Sequence, residues 1–159
     1  MKLTLHAVGK LKKGPEQELC ARYEKRIRQI GPQLGIADFL LREVTESRQQ
    51  NAEARKAEEA EKLLQSDPAQ SLLILLDETG ASLDSRSFAD VLQRAADDAR
   101  PLLLAIGGPD GHSKSLLNKA DKVLSFGAMT WPHQLARIMV MEQVYRAMTI
   151  LAGHPYHRD

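Results

Sequence analysis

The chain has a single cysteine, Cys20, in 159 residues. That excludes an intrachain disulfide and the paired-thiolate spacings of structural zinc, and it fits a reducing, cytoplasmic setting. No apolar run approaches the ~20 residues that a helix needs to span a bilayer. Met1-Lys2-Leu3-Thr4-Leu5-His6-Ala7-Val8 is too short and too alternating to be the apolar core of a signal peptide. The histidines are few and scattered. His154 and His157 lie three apart but flank Pro155, and no third ligand lies near them, so no metal is expected. There is no Gly-x-Ser-x-Gly elbow, repeat, low-complexity tract or linker. One domain over residues 1–159 is therefore expected, long enough for one real core.

Net charge is also nearly absent, at +1, but its distribution is uneven. Residues 1–36 carry eight Lys or Arg against three Glu, residues 37–99 seven against fourteen acids, and residues 100–159 seven against four. Such asymmetry suits either solvated helix faces or a surface that meets a polyanion.

What the chain does have is alternation. Lys2–Val8 alternates apolar and polar residues and reads as a half-buried strand. Glu16–Ile30 reads as a helix, Ile36–Val44 as a second strand and Ala52–Gln65 as an Ala/Glu/Lys helix docked lightly with a solvated acidic face. Ser66-Asp67-Pro68 reads as a turn. Leu72–Leu76 is fully apolar, hence an interior strand. Asp84 or Ser85 caps a helix that runs to Arg100. Leu102–Ile106 is a second interior strand, Ser113–Ala120 a short helix and Val123–Phe126 a fifth strand. Pro132–Ala152 is a long helix, closed by Gly153 and Pro155. Strands alternating with helices imply an α/β fold, a mainly parallel sheet covered on both faces.

The last helix is apolar nearly all round, from Leu135 through Leu151. A sheet covers one side of such a helix, so a second copy of the chain is expected on the other, most simply as a two-fold homodimer.

The stretch Leu102-Leu103-Leu104-Ala105-Ile106-Gly107-Gly108-Pro109-Asp110-Gly111 runs a buried strand into a turn with three glycines. It reads either as a tight turn or as a loop whose backbone approaches a ligand. Gly108–Ser115 nearly spells a phosphate-binding loop. It fails because Ser113 replaces the glycine before the lysine, and because Pro109 removes a backbone N–H. Two further loops, Leu76–Gly80 and Phe126–Trp131, follow interior strands at the same sheet edge. Together the three can line a pocket with apolar residues and few charges, suited to an aromatic base and a small zwitterion.

Seven segments then occur in a specific order and spacing. They are Ala7-Val8-Gly9-Lys10, Leu76-Asp77-Glu78-Thr79-Gly80, Ile106–Gly111, Leu124-Ser125-Phe126, Met129-Thr130-Trp131-Pro132-His133-Gln134, Glu142-Gln143-Val144-Tyr145-Arg146-Ala147 and Tyr156-His157-Arg158. In these the chain resembles the RlmH family, pseudouridine-N3 methyltransferases of 23S ribosomal RNA and minimal members of the SPOUT superfamily. The resemblance implies an α/β knot, a deep trefoil in which the carboxyl-terminal segment threads a loop. It implies S-adenosyl-L-methionine bound by Leu76, Gly107, Phe126, Gly127, Ala128, Met129, Thr130 and Trp131. It also implies a homodimer through the last helix, and ribosomal RNA within the ribosome as partner. The polar tail, Tyr156, His157 and Arg158, supplies the catalytic candidates, with Arg137 and Arg146 as alternatives. Lys10, Lys12, Lys13, Arg22, Lys25, Arg26 and Arg28 are candidates for phosphate contacts. The competing expectation is a non-catalytic ribosome-associated binding module that keeps a ligand pocket.

Overall fold

The computed structural model describes residues 1–67 and 71–158; Pro68, the last residue of the expected turn, lies outside them. Five strands form one sheet in the order β2-β1-β4-β3-β5. They are β1 (Lys2–Val8), β2 (Asp38–Val44), β3 (Leu72–Ala81), β4 (Leu102–Ile106) and β5 (Lys122–Leu124). Every pair is parallel, so each connection must cross back over a face of the sheet. The crossovers carry α1 (Pro15–Ile30), α2 (Ala52–Ser66), α3 (Ser85–Asp97) and α4 (Lys114–Lys119), and α5 (His133–Leu151) follows β5.

Alternation along β4 divides the core. Leu102, Leu104 and Ile106 face a cluster built with α1, α3 and α5. Leu103 and Ala105 face a smaller cluster with Ala60 and Leu63 of α2 and Leu116 of α4. All five β4 residues are buried, as the apolar run requires. Helix starts follow local chemistry. The Asn51 side chain accepts from Ala54 N at 2.8 Å, the Asp84 carboxylate from Ser87 N at 2.7 Å and Ser113 Oγ from Leu116 N at 3.2 Å, each satisfying a donor that the first helical turn leaves unpaired.

Four expectations need correction. First, β1 is not half-solvated: Thr4 and His6 are 4% and 1% exposed, because α2 covers the face onto which they point. Second, β3 does not stop at Leu76; it continues to Ala81 and shifts register against β5, where both Leu76 and Ala81 pair with Leu124. Third, β5 ends at Leu124, so Ser125 and Phe126 belong to the loop. Fourth, α3 ends at Asp97, before Ala99, whose φ of 50° no helix continues.

The apolar character of α5 has a cause within the chain. It packs on the sheet between α1 and α3, and Val140, Met141, Val144, Ala147 and Met148 are buried. Leu135 remains 42% exposed near its amino-terminal end. No helix among the described residues is long and apolar enough to cross a membrane.

Candidate functional site

The strands β4, β3 and β5 are neighbours, so the second half of β3 meets the segments that leave the carboxyl ends of β4 and β5. They enclose a cavity of about 630 Å³, within the range of small-ligand pockets. Of the eight residues expected to bind a cofactor, Leu76, Gly107, Phe126, Gly127, Met129, Thr130 and Trp131 line it, and Ala128 does not. Trp131 and Met129 form an open apolar side, 43% and 76% exposed.

The glycines are small for different reasons. A Cβ at Gly107 would meet Gly111 C and O at 3.1 and 3.2 Å and His112 Cε1 at 3.3 Å. The turn therefore folds back on itself, closed by Gly111 N donating to Gly108 O at 2.9 Å. At Gly108 a Cβ would meet Glu59 Oε2 at 3.0 Å and Val8 Cγ1 at 3.1 Å. At Gly80 it would lie 2.6–2.7 Å from the backbone of Val123 and Leu124. There two backbone segments cross with no room for a side chain, and Ser125 N donates to Ala81 O at 3.0 Å.

Asp77, Glu78 and Asp110 contribute to its wall as members of the loops expected to line it, whereas His112 and His133 were not foreseen. The one available signal for these two was position: each closely follows a residue already placed at the sheet edge. Asp110 is gripped from α2, with Arg55 Nε and Nη2 donating to its two carboxylate oxygens at 2.6 and 3.0 Å. That fork holds the Asp110 carboxyl below its ordinary range. Burial lowers the His112 pKa, against the Asp77 carboxylate and the Ala105 and Leu76 carbonyls. His133 Nε2 lies 4.0 Å from Glu46 Oε1, beside Gly9.

The tail is not in this cavity. His157 lines a neighbouring open groove that shares Ser125, Phe126 and Gly127 with it, together with Gln143 and Ser82–Arg86. Tyr156 Oη donates to Glu142 Oε1 at 3.1 Å, and its ring packs edge-on to Tyr145 with centroids 4.9 Å apart. Burial, then contacts with Tyr23 and Glu142, push the Tyr156 phenol well above its ordinary pKa. Arg146 donates to Glu142 Oε1 at 2.9 and 2.6 Å and lies 3.2 Å from His157 Nδ1. A guanidinium has only donors, so Nδ1 accepts there and a neutral His157 carries its proton on Nε2. Arg158 is exposed. Arg137 is wholly buried, bonding Glu43 and donating to Gly9 O at 2.7 Å. It joins α5 to the end of β1 and contacts no pocket residue among these partners.

Of the basic candidates, Lys10, Lys12, Lys13, Arg22 and Lys25 are exposed. Arg28 is paired with Glu24 and Asp38, and Arg26 stacks over Tyr145 at 5.5 Å. Burial raises the Cys20 thiol to about 11, so it is a core residue and not a nucleophile. Among the described residues, no group of His, Cys, Asp or Glu could hold a metal ion.

Comparison with known proteins bears on the same geometry. The family model described as "Predicted SPOUT methyltransferase" matches residues 1–157. A protein of Brucella anthropi named ribosomal RNA large subunit methyltransferase H is 53% identical over 160 residues, covering all of both chains. One of the same name from Rhizobium leguminosarum bv. trifolii is 54% identical over 159 residues, covering 99% of each. Among solved structures, a "probable methylase family protein" from Haemophilus influenzae Rd KW20 shares the fold, with a TM-score of 0.51 at 12% identity over 99% of this chain and 70% of that one.

Proposed function

The chain belongs to the SPOUT methyltransferase family, and from that premise we propose that it methylates N3 of a pseudouridine in 23S ribosomal RNA on the assembled ribosome. Its full-length relatives at about 50% identity are methyltransferases of large-subunit ribosomal RNA; it is an S-adenosyl-L-methionine-dependent enzyme of that kind. The pseudouridine, the nitrogen and the assembled particle are the finer terms of the proposal. The observation that carries the reading is the cavity itself, in which three adjacent strand ends assemble seven of the eight residues expected to hold the cofactor.

The residues fit that group. Apolar walls at Leu76, Phe126 and Trp131 suit an adenine face, and backbone exposed by Gly107 and Gly127 suits its polar edge. Bound there, S-adenosyl-L-methionine supplies a methyl carbon made electrophilic by its sulfonium. The chain has to orient the acceptor and manage charge around it. N3 of the base bears a proton between two carbonyls; when it leaves, negative charge spreads onto those oxygens and needs donors. The tail is suited to that task. His157 offers Nε2–H, and Arg158 offers an exposed guanidinium within reach of a carbonyl or a phosphate. Tyr156, with its phenol pKa raised, does not take up the proton at neutral pH; its bond to Glu142 instead fixes the tail on α5.

A homodimer through α5 is part of the same reading, supported by Leu135, Trp131 and Met129 standing exposed where α5 begins. A trefoil knot is supported by the side-chain-free crossing of Gly80 and β5. A protein this small with one short tail reads an RNA shape already formed, which favours the assembled ribosome. Transfer of labelled methyl groups to ribosomes, separated subunits and naked RNA tests the reading. Methylation of naked RNA in preference to ribosomes would contradict it, as would failure of the protein to bind the cofactor, the outcome that favours a non-catalytic module.

A further inference from the structure

The wall of the cofactor cavity is acidic and holds no cationic side chain to balance it. Asp77, Glu78 and Asp110 line it, and among the described residues no lysine or arginine does. The three acids are not equivalent. Asp110 is matched from outside the cavity by the Arg55 fork of α2. Glu78 is exposed, whereas Asp77 is half-buried. Asp77 directly follows Leu76 in the middle of β3, where that strand shifts register against β5.

The Asp77 carboxylate is fixed by one oxygen and free at the other. Thr79 N and Thr79 Oγ1 donate to Oδ1 at 2.9 and 2.6 Å. Oδ2 takes no such bond. It lies 3.8 Å from where a Cβ of Gly111 would stand, so the free oxygen faces the glycine turn. Apolar side chains at Leu76, Phe126 and Trp131 share the space, and a charge among them acts more strongly than it does in bulk water.

S-adenosyl-L-methionine brings one net positive charge to such a wall. Its ammonium and carboxylate sit on the same carbon and nearly cancel at a distance, so the field acts chiefly on the sulfonium. When the methyl carbon takes the electron pair of the acceptor nitrogen, its bond to sulfur breaks and that pair stays on sulfur. The product, S-adenosyl-L-homocysteine, is a thioether of almost the same shape with no net charge.

We propose that Asp77 is the residue that tells these two ligands apart: its free Oδ2 favours the sulfonium and loses that hold once the methyl group has gone, which releases the spent cofactor. The inference rests on the proposed function, in which this cavity is the cofactor site. Thr79 is a positioning residue, because it acts only by fixing the carboxylate through Oδ1.

Calorimetry with S-adenosyl-L-methionine and with S-adenosyl-L-homocysteine tests this on the wild type, Asp77→Asn and Glu78→Gln. Asparagine has the shape of aspartate, and its Oδ1 still accepts from Thr79, so the change removes charge and keeps the turn. Asp77→Asn is expected to bind S-adenosyl-L-methionine about tenfold more weakly than the wild type, and S-adenosyl-L-homocysteine within about twofold. Equal weakening for both ligands would mark a carboxylate that takes a hydroxyl or ammonium common to the two, and overturns the assignment. So does a loss of preference in Glu78→Gln as large as that in Asp77→Asn. The wild type alone supplies an arm that needs no variant to fold: it is expected to bind S-adenosyl-L-methionine several-fold more tightly than the product, and equal or tighter binding of the product overturns the proposal. A wild-type protein that binds neither ligand refutes the cofactor site itself, an outcome distinct from binding without charge discrimination.

Discussion

Arg55 and Asp110 lie 55 residues apart and meet in a two-pronged ion pair, Nε to Oδ2 at 2.6 Å and Nη2 to Oδ1 at 3.0 Å. The pair ties α2 to the turn that walls the cavity proposed to hold the cofactor. Arg55→Ala is expected to weaken S-adenosyl-L-methionine binding several-fold, about 3–10, with little change in unfolding temperature. Arg55→Lys recovers little, because a lysine offers no planar fork. Because the folded Asp110 pKa is depressed, the link is present above the ordinary carboxylate pKa and is lost as pH falls through the lower folded value. Cofactor titrations from neutral pH downward check both points; a variant that binds as the wild type does would remove Arg55 from the account.

Gly80 is the second test of geometry. Its Cβ would overlap backbone atoms of Val123 and Leu124 at 2.6–2.7 Å, and backbone cannot rotate away as a side chain can. Gly80→Ala is expected to destabilise the fold by at least about 2 kcal/mol and to abolish cofactor binding, because the same crossing positions Ser125 and Phe126. Gly127→Ala is a milder control. Nothing lies near its Cβ, and its φ of 112° makes the change a backbone strain alone. Chemical denaturation with cofactor titration separates the two.

His6 makes stability depend on pH. Burial first, then Arg42 and His112, lower its pKa from 6.5 to about 4. The unfolded chain therefore takes up a proton as pH falls below 6.5, while the folded chain does not until about pH 4. Stability declines across that window by up to about 1.4 kcal/mol per pH unit, roughly 3 kcal/mol in all. Denaturant titrations at a series of pH values should show a shallower slope in His6→Gln than in the wild type, the remainder coming from His112, whose pKa burial also lowers. Equal slopes would mean that His6 is protonated in the fold.

On the proposed reading the tail and the exposed basic residues act on RNA and not on the cofactor. Removal of residues 155–159 is expected to abolish methylation and to leave cofactor affinity within about twofold. Reversal of charge at Lys12, Lys13 and Lys25 should weaken ribosome binding and reduce its salt dependence, by about one unit of log–log slope for each phosphate that is no longer neutralised. Filter-binding across a salt series reads this; an unchanged slope would place the RNA elsewhere.

What the sequence made legible follows from period and punctuation. The apolar runs Leu72–Leu76 and Leu102–Ile106 could only be interior strands, and the turns that follow them reach one edge once the sheet is parallel. That reasoning together with family resemblance named eight residues for the cofactor, of which seven line one cavity. Long-range polar contacts were not legible. The helix Ala52–Ser66 reads as a solvated helix because Arg55 and Glu59 are charged, yet both turn inward to the glycine turn. His6 reads as outward-facing by alternation, since alternation cannot tell a face covered by a helix from a solvated one. The glycines after Ile106 read either as a tight turn or as a ligand loop, and no local pattern says that Gly107 faces Gly111 and His112 of its own turn. The crowded crossing is at Gly80, where a register shift that no local pattern encodes brings β3 against β5.

The most direct test of the whole account is mass mapping of the methylated nucleotide after incubation of ribosomes with the purified protein and labelled S-adenosyl-L-methionine. One methyl group at N3 of a pseudouridine in large-subunit RNA is the predicted result. Label on another nucleotide or atom, or no label with cofactor demonstrably bound, would contradict it.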